Sequence, residues 1–150
     1  MKLFLDTNIF MEFIEHRQQY DDVCFIIDAI MEKRFSAYIS TGCLYTLAYL
    51  FEKSLKKQSI HRPELTTRLC GYLNEVLDMA NLAELSHNRA RRAVRSGKFS
   101  DFEDSFQYQC ALDSHCDVLI TINVSDFVNA GKRLEILTPS QFVNKYLPQN

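Results

Sequence analysis

Three groups of oxygen-bearing side chains in this sequence could do chemistry together. The first is Asp6, with Thr7 and Asn8 behind it; the second is Asp101, Glu103 and Asp104; the third is Thr121, Asn123 and Asp126. Gathered carboxylates repel one another unless something positive sits among them. Clustered hard oxygen ligands beside a polar loop are what Mg²⁺ or Mn²⁺ needs. His16, His61, His87 and His115 are scattered, and none forms a pair at zinc spacing. Simpler accounts stand beside this one. Asp6 could serve as a helix N-cap, and Ser100-Asp101-Phe102-Glu103-Asp104 reads as a doubled capping box, Ser100 to Glu103 and Asp101 to Asp104. Capping needs only one acid there.

A metal site requires a scaffold that carries these distant groups to one edge. Leu3-Phe4-Leu5 is an unbroken apolar run that stops at Asp6, which predicts a strand buried on both faces. Ile9, Phe10, Phe13 and Ile14 follow at helical spacing. Asp117 to Thr121 is a second nearly apolar strand, so the first and third groups both lie at the carboxyl ends of strands, where open α/β sheets bind ligands. Further strands are expected at 36–39, 82–85 and 134–137. Helices are expected at 18–33, from Ser40-Thr41 to Lys57 with Leu44, Leu47, Ala48, Phe51 and Leu55 inward, from Pro63 to Met79, from Ser86 to Gly97, from Ser100-Asp101 to about His115, and after Thr138-Pro139. On the helix after Ser100, Phe102, Phe106 and Cys110 are expected to point one way, with Asp101, Asp104 and Tyr108 on a neighbouring face and Phe102 in the core. The alternation predicts a three-layer α/β/α sandwich with a mostly parallel five-stranded sheet, as one domain over residues 1–150. If the first and fourth strands are neighbours, Asp6, Asp104 and Asn123 or Asp126 meet in one cleft.

The composition narrows the function classes. A net charge of −2 means that any nucleic-acid surface must be a local patch. Arg89, Arg91, Arg92, Arg95 and Lys98 form such a patch just before the second acidic group. Arg89, Arg92 and Arg95 share a stripe and could hold RNA phosphates, or they could be a solvated helix face. Lys53, Lys56 and Lys57 are a second basic cluster. Cys24, Cys43, Cys70, Cys110 and Cys116 have no CxxC spacing and read as reduced, buried thiols of a cytoplasmic protein. The chain runs from Met1-Lys2 straight into a core strand, so no signal peptide is expected. No apolar run reaches the ~18 residues of a membrane span.

Phe4-Leu5-Asp6-Thr7-Asn8, Ser100-Asp101-Phe102-Glu103-Asp104 and Leu119-Ile120-Thr121-Ile122-Asn123-Val124-Ser125-Asp126-Phe127 resemble, in order and spacing, the three blocks of PIN domains, of which VapC-type toxins are the best-known members. The resemblance implies a Mg²⁺- or Mn²⁺-dependent endoribonuclease in which Asp6 and Asp104 hold metal. Thr7, Asn8 and Thr121 would orient ligands and waters, and Asn123 stands where many members have a further acid, with Asp126 as the nearby substitute. RNA, an antitoxin protein and a second copy of the chain in a homodimer are the expected partners. The sequence departs from the pattern once. Members usually carry an acid six residues beyond a Ser on the helix after the second strand, and counting from Ser40 gives Thr46. The next acid is Glu52, almost two turns on; Asp101 or Glu103 would have to compensate.

Two other classes compete. A PIN fold with a weakened site could bind RNA or a protein without cutting; the missing acid at Thr46 favours it, and the retained Asp6, Asp101 and Asp104 oppose it. A phosphatase with a strand-end Asp nucleophile wants a second Asp two residues on, where Asn8 stands.

Overall fold

In the computed structural model, which describes residues 1–148, side chains of the first strand point alternately into two cores. β1 (Lys2–Leu5) sends Leu3 and Leu5 into one and Phe4 into the other. β4 (Val118–Ile120) repeats this, with Val118 and Ile120 on the first side and Leu119 on the second. A strand covered on both faces has no polar alternation, which is why both runs are apolar. Each such residue fully buried contributes about 1.5–3 kcal/mol of transfer free energy.

β2 (Ser36–Ser40), β3 (Ala80–Ala83) and β5 (Glu135–Leu137) complete the sheet, in the order β3-β2-β1-β4-β5. Every pairing is parallel. α1 (Thr7–Ile14), α2 (Tyr20–Met31), α3 (Thr41–Lys57), α4 (Glu64–Met79) and α7 (Pro139–Tyr146) cover the first core. α6 (Phe102–Asp113) supplies Tyr108, Cys110 and Ala111 to the second, and α5 (His87–Ser96) packs on α6. A 3₁₀ turn (Val124–Phe127) follows β4 and buries Phe127.

The helix ends follow the expected chemistry. Ser40, Ser86 and Thr138 accept the capping amides of Cys43, Arg89 and Gln141, and Gly97 ends α5 at φ +59. β3 lies two residues earlier than the apolar pattern suggests. As an edge strand it is placed by its ladder to β2, from Ala37 with Ala80 to Ser40 with Ala83, and it leaves Leu82 exposed. Of the thiols, Cys43, Cys110 and Cys116 are buried as expected, whereas Cys70 is exposed and Cys24 half-buried, because each sits off its helix's core stripe; all five are free. No helix among the described residues is long and apolar enough to cross a membrane.

The strand order reverses at β1. The chain builds β2 and β3 outward on one side, then returns to place β4 and β5 on the other. The crevice between the carboxyl ends of β1 and β4 is the switch point, where α/β sheets bind ligands.

Candidate active site

Asp6 leaves β1 at that crevice and is 3% exposed. It occupies the N-cap position of α1, yet its side chain makes no capping hydrogen bond. The Thr7 and Asn8 amides only lie close enough to favour its ionised form. Its Oδ2 instead accepts the Thr121 hydroxyl at 2.7 Å from the end of β4. Thr121 is wholly buried, and its Oγ1 also accepts the Asn123 amide at 3.0 Å. Asp6 thus holds the N-cap position without spending its carboxylate on a capping bond, and Thr121 holds that carboxylate and the loop behind it.

A cleft of about 170 Å³ opens beside Asp6. Asp101, Glu103, Asp104 and Asp126 line it together with Asp6, and Asn8, Thr46, Gln107 and Asn123 fill the gaps. The three groups converge, the first and third from strand ends as expected and the second from the start of α6. Thr7 also borders the cleft, and its hydroxyl contacts Glu103 Oε1 at 3.1 Å and Cys43 Sγ at 3.2 Å, tying α1 to α6 and α3. Asp101 does cap α6, accepting the Glu103 amide at 2.7 Å, so one acid of the second group has a structural task and Glu103 and Asp104 remain.

The electrostatic cost of this gathering falls on Asp104. Burial, and then the charges of Asp6, Asp101, Asp126 and Glu103, raise its pKa from the ordinary 3.8 to about 7. Burial also raises Asp6, partly offset by its Thr121 hydrogen bond and the nearby Gln107 amide. A stability test follows. Between pH 3.8 and about 7 the folded protein holds a proton on Asp104 that the unfolded chain has lost. The resulting stability is full below the ordinary carboxylate range and is lost as pH rises through about 7. Glu15, Glu52 and Glu135 have lowered pKa values and act in the opposite sense, but below the ordinary 4.5. Metal-free protein should therefore melt at a lower temperature at pH 8 than at pH 5.5, and Asp104→Asn should flatten that slope. A melting temperature that rises across this window, or a slope unchanged in Asp104→Asn, contradicts this account of the cleft.

Several side chains sit elsewhere than the sequence suggested. Tyr108, one turn after Asp104, does not reach the cleft. Its hydroxyl donates to the Ala130 carbonyl at 2.7 Å, inside the second core. Phe102 is not core but 61% exposed beside the cleft, its ring stacked on Phe106. Arg89 and Arg92 both reach Asp113 on α6, at 2.8 and 3.2 Å, and Arg89 also donates to the Glu84 carbonyl. Arg95 is exposed on the last turn of α5. Glu52 pairs with Lys56 and lies outside the cleft, so Thr46 has no acidic substitute on its own helix. Gln107 was missed. It is buried, and its Oε1 has no hydrogen-bond partner. Its place three residues after Asp104 was the available signal.

Among the described residues, no three His, Cys, Asp or Glu side chains are gathered closely enough to close on one ion. Mg²⁺ does not need such a cage, because it is usually held by one or two carboxylates with waters and substrate phosphates. Hard oxygen donors whose charges together raise Asp104, beside an orphaned buried amide oxygen, fit such an ion.

A parallel α/β sandwich with a carboxylate cleft at its switch point defines the class of protein. The PIN domain family matches residues 2–125, and the chain belongs to it. Among solved structures it is similar to a chain of VapBC2 from Rickettsia felis, crystallised bound to a DNA fragment from their promoter. That likeness has a TM-score of 0.64 at 18% identity, and it covers 92% of this chain and 98% of the other. It is a likeness of fold. No curated protein matches the sequence.

Proposed function

We propose that this PIN domain is a Mg²⁺- or Mn²⁺-dependent endoribonuclease of the VapC-toxin type. The observation that carries the proposal is the cleft itself, five carboxylates at a switch point with Asp104 raised to about 7. Asp6 and Asp104 would hold the ion, with Asp101 and Asp126 at its margin. When bound, the ion supplies positive charge for the phosphate and lowers the pKa of an attacking water. The chain's own residues prepare this. Thr121 fixes Asp6 in one rotamer, Thr7 fixes Glu103, and Asn8 and Asn123 offer neutral donors and acceptors that can orient water or substrate. Among the described residues no Ser or Cys lines the cleft; Cys43 is buried with its thiol pushed up to about 12.

The VapBC2 likeness supports an antitoxin partner and an intracellular toxin role, and a homodimer remains part of the proposal. Thr46, in the cleft where family members carry an acid, favours a second reading: a module that binds RNA or a protein without cutting. Incubation of the purified protein with labelled single-stranded RNA separates the two. A ribonuclease cuts it with Mn²⁺ and stops with EDTA, and calorimetry finds a bound ion. RNA bound in Mn²⁺ but left intact establishes the second reading.

A further inference from the structure

The strongest unassigned feature lies along α6, on the flank that carries Ser105, Tyr108 and Gln109. A cavity of about 370 Å³ is bordered by the end of α5, the segment after Gly97, one flank of α6 and the loop after the 3₁₀ turn. Lys98, Lys132 and Arg133 line it, and no acid does. Among the described residues none of the three is in an ion pair. Three cations around one hollow repel one another unless an anion enters. The hydroxyls in the wall are already engaged, Ser105 with the Ala93 carbonyl and Tyr108 with the Ala130 carbonyl. What remains for a ligand is positive charge and apolar surface, chiefly Phe99 and Leu112. Phe99 is held by ring contacts to Tyr108 and Phe127 at 5.5 and 5.8 Å, so its plane is fixed.

The cavity adjoins the cleft. Asp104 lines the cleft and the next residue, Ser105, lines the cavity. Asp126 borders the cleft, and the loop that follows it brings Ala130 to Arg133 to the cavity. A polyanion drawn to the cleft meets five carboxylates and must be held by cations beyond them; among the described residues Lys98, Lys132 and Arg133 are in no ion pair, and neither is the exposed Arg95. The Arg89 and Arg92 stripe is already committed to Asp113. Arg133 also borders the depression containing Asp113, but that carboxylate is occupied by the two arginines.

We propose that this cavity is a nucleotide subsite, which seats one nucleotide of a single-stranded RNA next to the one in the cleft. Its phosphate lies among Lys98, Lys132 and Arg133, and its base lies against Phe99 and Leu112. The proposal rests on the ribonuclease reading for the identity of the polyanion. Its sequence tolerance follows from the same chemistry, because every base has an apolar face and the wall offers no free hydroxyl for reading an edge.

The test measures binding without cutting. Labelled single-stranded RNA is titrated in EDTA against wild type and Lys98→Gln/Arg133→Gln, at several salt concentrations. Both residues line an open cavity and hold no partner, so an unchanged melting temperature checks the fold. The double variant should bind about tenfold more weakly, and the slope of log affinity against log salt should flatten by about 1.4, two contacts at ~0.7 each. Mn²⁺ affinity by calorimetry should be unchanged. A second arm uses inorganic phosphate and AMP alone. AMP binding that the variant loses, with phosphate much weaker, supports the subsite. Equal binding of phosphate and AMP overturns the base-holding part and leaves a simple anion site. Wild-type RNA affinity and salt slope in the double variant overturn the proposal while leaving the ribonuclease reading intact. If wild type binds no RNA in EDTA, the subsite proposal falls, while cleavage with Mn²⁺ decides the ribonuclease reading separately. If only binding to an acidic protein partner is lost, the cavity belongs to that partner.

Discussion

Asp6→Asn is expected to lower metal-dependent RNA cleavage by about a hundredfold or more while the protein folds at least as well as wild type. The loss follows from removing one of two carboxylates proposed to hold the ion, whose charge is worth several kcal/mol to a transition state on phosphate, at about 1.4 kcal/mol per decade of rate. The retained fold follows from the geometry. Asn keeps the shape of Asp, and its Oδ1 can still accept the Thr121 hydroxyl. It also removes a charge that burial penalises, so the metal-free variant should melt at the same or a higher temperature. With the Asp6 charge gone, Asp104 loses the largest of its like-charge repulsions and its pKa should move down from about 7. Functional sites often trade stability for chemistry in this way. Full activity in Asp6→Asn would place the metal elsewhere. A large fall in melting temperature in metal-free buffer would show that Asp6 is there for structure.

The parts of this molecule that were legible in the sequence are those set by local pattern. The Leu3-Phe4-Leu5 and Val118-Leu119-Ile120 runs could only be strands covered on both faces, and the polar residue that ends each run had to emerge at the sheet's carboxyl edge. Asp6 and Thr121 could therefore be placed at one edge of the sheet before any fold was known. Partners drawn from another element were not visible. Asp113 claims Arg89 and Arg92 across the α5–α6 contact, and nothing in the basic run announces it. Phe102 and Tyr108 exchanged their expected environments because the buried stripe of α6 runs through Ser105, Tyr108 and Ala111 rather than through Phe102 and Phe106. β3 is weakly marked because an edge strand needs only one covered face, and its place is set by pairing to β2.

Thr46→Glu is expected to strengthen Mn²⁺ binding by about tenfold or more and to raise cleavage, while it weakens the metal-free protein. Thr46 lines the cleft from α3, opposite the acids carried by β1 and α6. It is half-buried, so a longer side chain can extend into the cleft without disturbing the core stripe of Cys43, Leu47, Phe51 and Leu55. A carboxylate at that point approaches the ion from a third element and adds a hard oxygen donor of the kind such cations take. Without an ion it adds a sixth carboxylate to a cleft where burial and four neighbouring acids already hold Asp104 near 7. The metal-free variant should therefore melt below wild type at pH 8, with the gap narrowing at pH 5.5 where Asp104 is protonated. Saturating Mn²⁺ should reverse the order, because an ion that binds only the folded protein stabilises it in proportion to the logarithm of its concentration over Kd. Two melting curves and one calorimetric titration read all three effects. A variant that melts lower with and without Mn²⁺, and binds the ion no more tightly, would mean that Glu103 or Asp101 already fills the position that Thr46 leaves open. An unchanged protein in every assay would mean that α3 does not take part in holding the ion.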